Sequence, residues 1–214
     1  MHQPLSFQLM FLGIFAVANN FKSLGKFLQI SQGLSDVEQI QLSINATLAS
    51  LVVMLAALFV GESLLNFFGI SLDAFRVAGG VILAMLGIDM IHARKAIEED
   101  ESYSVSHTYS KVIPSVIIPI AIPLTTGAGT FSTITIFADQ VSGNDFLYYQ
   151  LLAAILLQAL LIFVVFRYSS KLLHVMGKTG ISILTRVVGL FTLALGIQFM
   201  AIGLKVLFPG LALQ

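Results

Sequence analysis

Two short stretches carry most of the polar chemistry in an otherwise apolar chain. One reads Pro119-Ile120-Ala121-Ile122-Pro123-Leu124-Thr125-Thr126-Gly127-Ala128-Gly129-Thr130. Each proline removes a backbone donor and clashes with the preceding turn. The two glycines lower the cost of leaving helical geometry. The freed N–H and C=O groups find no partner in lipid, so they are tolerated only in protein or beside a polar cavity. A helix restarting after such a break aims its N–H groups and the positive end of its dipole at that cavity, which suits a carboxylate. Thr125, Thr126 and Thr130 add hydroxyl donors and acceptors. A proline kink that merely shapes packing is the alternative, and the density of prolines, glycines and threonines argues against it.

The other stretch is Ala18-Asn19-Asn20-Phe21-Lys22-Ser23-Leu24-Gly25-Lys26. A lysine at the centre of a spanning helix costs about 2.5–3.5 kcal/mol on insertion scales, so these polar side chains are expected to face the protein interior. Snorkelling of Lys22 to the cytoplasmic interface is equally open. A buried ammonium needs a carboxylate or loses its proton. Asp89 lies at a similar depth if each helical residue advances about 1.5 Å. A Lys22–Asp89 ion pair is therefore expected, against the alternative that Asp89 only caps its helix at the interface. The expected binding residues are Asn19, Asn20, Lys22, Ser23, Pro123, Thr125, Thr126, Gly127, Gly129 and Thr130.

The elements that must position these residues are membrane helices. Of 214 residues, 57% are hydrophobic and only 10% charged, with a mean hydropathy of +0.94. Soluble domains carry about 25% charged residues, so the solvent of this chain is lipid. Six stretches are long enough to span: Leu5 to Leu28, Ile44 to Phe67, Leu72 to Ile91, Val112 to Ala138, Phe146 to Tyr168 and Ile183 to Leu207. They are continuously apolar, which excludes the alternating pattern of barrel strands. The first lacks a basic start and is read as a mature span rather than a signal peptide. Lys26, Arg94, Lys95, Lys111, Arg167, Lys171 and Lys178 crowd one set of loops, which is therefore expected to be cytoplasmic. With six spans, both termini then face outward.

The spans form two halves, with residues 1–95 and 112–214 flanking a polar cytoplasmic linker at 96–111. Arg76-Val77-Ala78-Gly79 opens the third span and Arg186-Val187-Val188-Gly189 opens the sixth; Leu83-Ala84 and Leu193-Ala194 continue the match. Three spans per half force the second half to sit inverted. The expected fold class is thus all-α integral membrane, six transmembrane helices as two inverted three-helix repeats, the first helix of each interrupted. Inverted repeats are common in secondary transporters, where they exchange conformations to open a midplane site to alternate sides.

Other polar residues have plainer readings. Asp73 lies in the first turn of its helix, where the dipole favours an anion. Arg76 and Arg186 are expected to snorkel. Gln158 and Gln198 are expected to bond across helices, and Asn45, Thr47 and Ser50 to approach the polar centre. The four histidines lack metal-ligand spacing, cysteine is absent, and no nucleophile–base pair or phosphate loop occurs, so neither metal nor enzymatic catalysis is expected. Zero net charge excludes a basic field for nucleic acid.

At these residues the chain resembles the MarC family of six-span inner-membrane proteins, which includes the SnatA transporter of small neutral amino acids. The family pattern P-L-A-I-P-L-x-A-G-P-G is similar to Pro119 through Gly129. The pattern F-G-I-S followed by F-R-I-A-G-G is similar to Phe68-Gly69-Ile70-Ser71 and Phe75-Arg76-Val77-Ala78-Gly79-Gly80, and Phe208-Pro209-Gly210 also fits. The resemblance implies alternating-access movement of glycine- or alanine-like solutes, with Na⁺ or H⁺ as a coupling ion and no other cofactor. The family's first-half motif N-P-x-G-x-x-P is here Asn19 to Gly25, with Lys22 at the glycine and Ala128 replacing a proline in the second half. A non-transporting protein of the same fold, with Lys22 occupying the site, is the alternative. Expected partners are the lipid bilayer and a small zwitterionic solute; a homo-oligomer is left open.

Overall fold

The computed structural model describes residues 5–18, 23–24, 27–28, 31, 34–92 and 126–212. All regular structure among these residues is helical: α1 (Phe7–Val17), α2 (Asp36–Phe67), α3 (Leu72–Ile91), α4 (Ala128–Gln140), α5 (Asp145–Arg167), α6 (Ser169–Leu207) and a short 3-10 turn at Pro209–Ala212. Among the described residues, four segments are long and apolar enough to cross a membrane: α2, α3, α5 and Thr179–Leu207 of α6. Their apolar side chains stand outward, as at Val52, Phe59, Met85 and Leu160. In water such a surface would be a liability; in lipid it is the solvated face.

Helix starts follow local chemistry. Ser6, Ser35, Ser71 and Asn144 cap α1, α2, α3 and α5 by accepting from a backbone N–H in the first turn. At α2 the Glu38 carboxylate also accepts from the Ser35 N–H at 2.8 Å, completing a capping box. That box carries α2 back to Asp36, eight residues before the expected apolar boundary at Ile44. At about 1.5 Å per residue its 32 residues reach about 48 Å. The α3 boundaries are those expected, and α5 lies one residue earlier than expected. In α6 the backbone breaks at Gly177, with φ of 64°. Few residues other than glycine tolerate this left-handed geometry. The break separates a short segment, 169–176, from the long span.

α3 packs along the long span of α6. They run antiparallel, and glycines line the seam. A Cβ at Gly80 would stand 2.6 Å from the Gly196 carbonyl oxygen; one at Gly87 would stand 2.6 Å from the Leu193 nitrogen and 2.7 Å from the Gly189 oxygen. Gly203 meets the Asp73 carbonyl in the same way. Small residues at such spacing let backbones approach, and lipid offers van der Waals packing instead of a hydrophobic force to hold them.

α4 is central, with α1, α2, α3 and α5 around it. Residues 132–137 are all buried, as befits a helix surrounded on every side. Ile134, Ile136 and Phe137 join Met10, Ile14, Met54, Leu151, Ile155 and Ile162 in one core. Gly61 on α2 lies against Thr135, whose hydroxyl donates to the Ala57 carbonyl at 3.3 Å.

Candidate functional site

The end of α1 meets the start of α4. A Cβ built on Gly129 would stand 3.1 Å from Val17 Cγ1 and 2.9 Å from Leu83 Cδ2 of α3. Farther along the same contact, Gly13 of α1 lies against the Phe137 ring. α1 has 11 residues and α4 has 13, each about half the length needed to span.

The start of α4 differs chemically from those of α2, α3 and α5. Its N-cap is Gly127, and among the described residues no side chain accepts from its first N–H groups, as is also the case at the start of α6. Its first turn holds no acidic residue, whereas α2, α3 and α5 carry Asp36 and Glu38, Asp73, and Asp145 there. The partial positive charge of the α4 terminus is therefore not neutralised locally. Beside it, Thr126 and Thr130 are 2% and 1% exposed, and neither hydroxyl finds a hydrogen-bond partner among the described residues. Leaving a buried hydroxyl unmatched costs about 1–3 kcal/mol, so such pairs call for an explanation. Neighbouring hydroxyls on the same helix are matched: Ser132 donates to the Ala128 carbonyl and Thr133 to the Gly129 carbonyl.

The end of α1 supplies the opposite sign. No basic residue lies in its last turn, so the negative end of its dipole meets the junction uncompensated by its own side chains. The Ala18 N–H donates to the Ile14 carbonyl at 2.8 Å. The Thr192 hydroxyl of α6 reaches the Ala16 carbonyl at 2.8 Å and the Val188 carbonyl at 2.9 Å. Terminal carbonyls of a helix lack intrahelical partners, and Thr192 answers one of them.

Of the residues expected from sequence, Thr126, Gly127, Gly129 and Thr130 come together at this junction. Ser23 is helical and half-buried. Asn19, Asn20, Lys22, Pro123 and Thr125 lie outside the described residues, so the Lys22–Asp89 pair does too; Asp89 itself stands exposed in the last turns of α3. Ser50 and Gln158 are buried, while Asn45 and Gln198 face outward and Thr47 bonds back to the Ser43 carbonyl. Arg76 corrects its snorkelling expectation: it is ion-paired to Asp73 at 2.7 Å and to Asp139 at 3.2 Å. Thr192 and Asp139 were not singled out by sequence. One hydroxyl or carboxylate in or beside a span leaves no local signature.

Apolar helices of spanning length around a polar, half-helix junction define a multi-pass integral membrane protein. The chain belongs to the MarC family: the model described as MarC family integral membrane protein matches residues 5–208. It is 31% identical over 209 residues to the UPF0056 membrane protein YhcE of Escherichia coli (strain K12), covering 97% of this chain and 95% of that one. A UPF0056 membrane protein of Buchnera aphidicola subsp. Schizaphis graminum (strain Sg) is 31% identical over 207 residues, covering 94% and 92%. One from Aquifex aeolicus (strain VF5) is 28% identical over 198 residues, covering 91% and 90%. No solved structure matches the chain.

Proposed function

We propose that this protein is a secondary transporter of small neutral amino acids, with its solute site at the α1–α4 junction. The observation that carries the reading is the pair of buried hydroxyls, Thr126 and Thr130, with no partner among the described residues, at a helix start that no described side chain caps. The α4 N–H groups and these hydroxyls take a carboxylate; the negative end of α1 takes an ammonium. Val17 and Leu83 press close on Gly129, which in this reading restricts the solute to one with both charges and a side chain no larger than a methyl. In this reading the protein binds and releases without chemistry on the solute, is not an enzyme, and draws on Na⁺ or H⁺ for coupling.

The reading includes six spans in two inverted halves within the inner membrane, both termini outside. Support comes from the half-length of α1 and α4. It also comes from the seam, where Gly80 meets Gly196 and Gly87 meets Gly189. Each glycine pair is seven residues apart on its own helix, so a two-fold axis in the membrane plane would exchange one contact for the other. Alternating access then moves one half against the other around the junction.

The test is uptake of labelled glycine and alanine by proteoliposomes, with and without Na⁺ and pH gradients. Saturable uptake that Thr130→Val reduces supports the site; uptake unchanged by Thr130→Val removes it. An inert parent that gains counterflow on Lys22→Gly would favour the alternative in which Lys22 occupies the site.

A further inference from the structure

At the end of the bundle carrying the Gly69 and Gly143 turns, Arg76 grips two helices at once. Its Nη1 donates to Asp73 Oδ1 at 2.7 Å, within the first turns of α3. Its Nη2 donates to Asp139 Oδ2 at 3.2 Å, in the last turn of α4. The Arg76 side chain is only 13% exposed, and a cation beside the C-terminal end of α4 is favoured by that helix's dipole. From this pair the α3–α4 contact runs inward without interruption. Gly79 lies against Ser132, where a Cβ would stand 2.8 Å from the serine Cβ, and Leu83 lies against Gly129 at the junction.

We propose that Arg76 is a positioning residue: through Asp139 it holds α4 against α3 and keeps the α1–α4 junction closed from the Gly69–Gly143 end of the bundle. Reaching the junction from that end requires α3 and α4 to part, which the Arg76–Asp139 pair resists. The two carboxylates have different duties. Asp139 belongs to the partner helix and is released on opening. Asp73 travels with Arg76 on α3, so the guanidinium keeps one countercharge in both states and is never left alone in a low-dielectric setting. The shorter bond is to the carboxylate that stays. This inference takes the junction as a solute site, as proposed above, but its own readout needs no transport.

The chain has no cysteine, so Ser132→Cys gives a single thiol on the α3–α4 contact with almost no change in shape. Vesicles of known orientation are treated with a membrane-impermeant thiol reagent from each side. Labelling is slow in the Ser132→Cys parent. Adding Arg76→Gln or Asp139→Asn should raise the rate about tenfold from the Gly69–Gly143 side alone, the scale of losing a hydrogen bond to a charged group. Asp139→Glu, which keeps the charge, should stay slow and shows that the fold survives change at this position. Asp73→Asn should raise the rate far less, because the interhelical bond remains. Unchanged labelling in both Arg76→Gln and Asp139→Asn, or an equal rise from both sides, would overturn the proposal. If labelling responds as expected while proteoliposomes move neither glycine nor alanine, the positioning role stands and the transport reading falls. Transport by the parent with labelling indifferent to all four changes does the reverse.

Discussion

Where α3 meets α6, glycines bring backbone against backbone, with Gly80, Gly87, Gly189, Gly196 and Gly203 on the seam. Where α1 meets α4, the contact is between helix ends, and the Thr126 and Thr130 hydroxyls find no partner among the described residues. Both are interior helix contacts with glycine at their centre, yet they spend glycine differently. On the seam the absent side chain admits another backbone. At the junction Gly127 leaves the helix start without a side-chain cap among the described residues, and Gly129 lets the Val17 and Leu83 side chains close on α4 where a Cβ would collide with them. The seam is sealed by backbone against backbone, whereas the junction is where the solute site is proposed. Stability and binding should therefore respond to substitution in opposite patterns at the two places.

The largest effect is expected on the seam. Gly87→Leu drives a side chain into the Leu193 and Gly189 backbone and should cost about 3 kcal/mol or more, since backbone cannot step aside as a flexible side chain can. Thermal unfolding in detergent reads it; an unshifted melt would mean the helices can separate freely. Next comes Thr130→Val at the junction. Glycine and alanine binding should weaken about tenfold while the melt holds or rises by about 1 kcal/mol, because an unmatched buried hydroxyl is replaced by a methyl of the same shape. A lowered melt with unaltered binding would reverse the comparison. Thr192→Val sharpens it with a nearby hydroxyl that is matched. The Ala16 carbonyl loses its donor, and stability should fall by about 1–2 kcal/mol. Two threonines answering the same substitution with opposite signs would separate a structural hydroxyl from a binding one. The smallest effect is expected at Gly177, outside both regions: Gly177→Ala forces a side chain into left-handed geometry at about 1 kcal/mol, measurable as a modest melt shift with binding intact.

Much of the architecture was legible because lipid simplifies the reading. Leu72 to Ile91 coincides with α3, since a turn with Gly69 precedes it and polar His92 follows. The start of α2 was not legible, because hydropathy stops at the apolar edge while Ser35 and Glu38 hold the helix through polar sequence. The long span of α6 begins at Thr179, ahead of the expected Ile183. At the candidate site, the cluster of glycine and threonine after Pro123 was legible from composition alone. What was not legible is which hydroxyls are matched. Thr133 and Thr130 look equivalent in sequence, yet one bonds to the Gly129 carbonyl and the other to nothing described. Partners distant in the chain were equally hidden: Thr192 and Ala16 are 176 positions apart, Arg76 and Asp139 are 63. No local pattern encodes such pairs.

The length of α2 bears on where the protein can live. A rod of about 48 Å set in an oily slab of about 30 Å must either lean or let its ends protrude. Its Asp36–Glu38 turn resists being drawn into the slab, so the polar start of the rod is the end that protrudes, while packing against α4 and α5 fixes the lean of the rest.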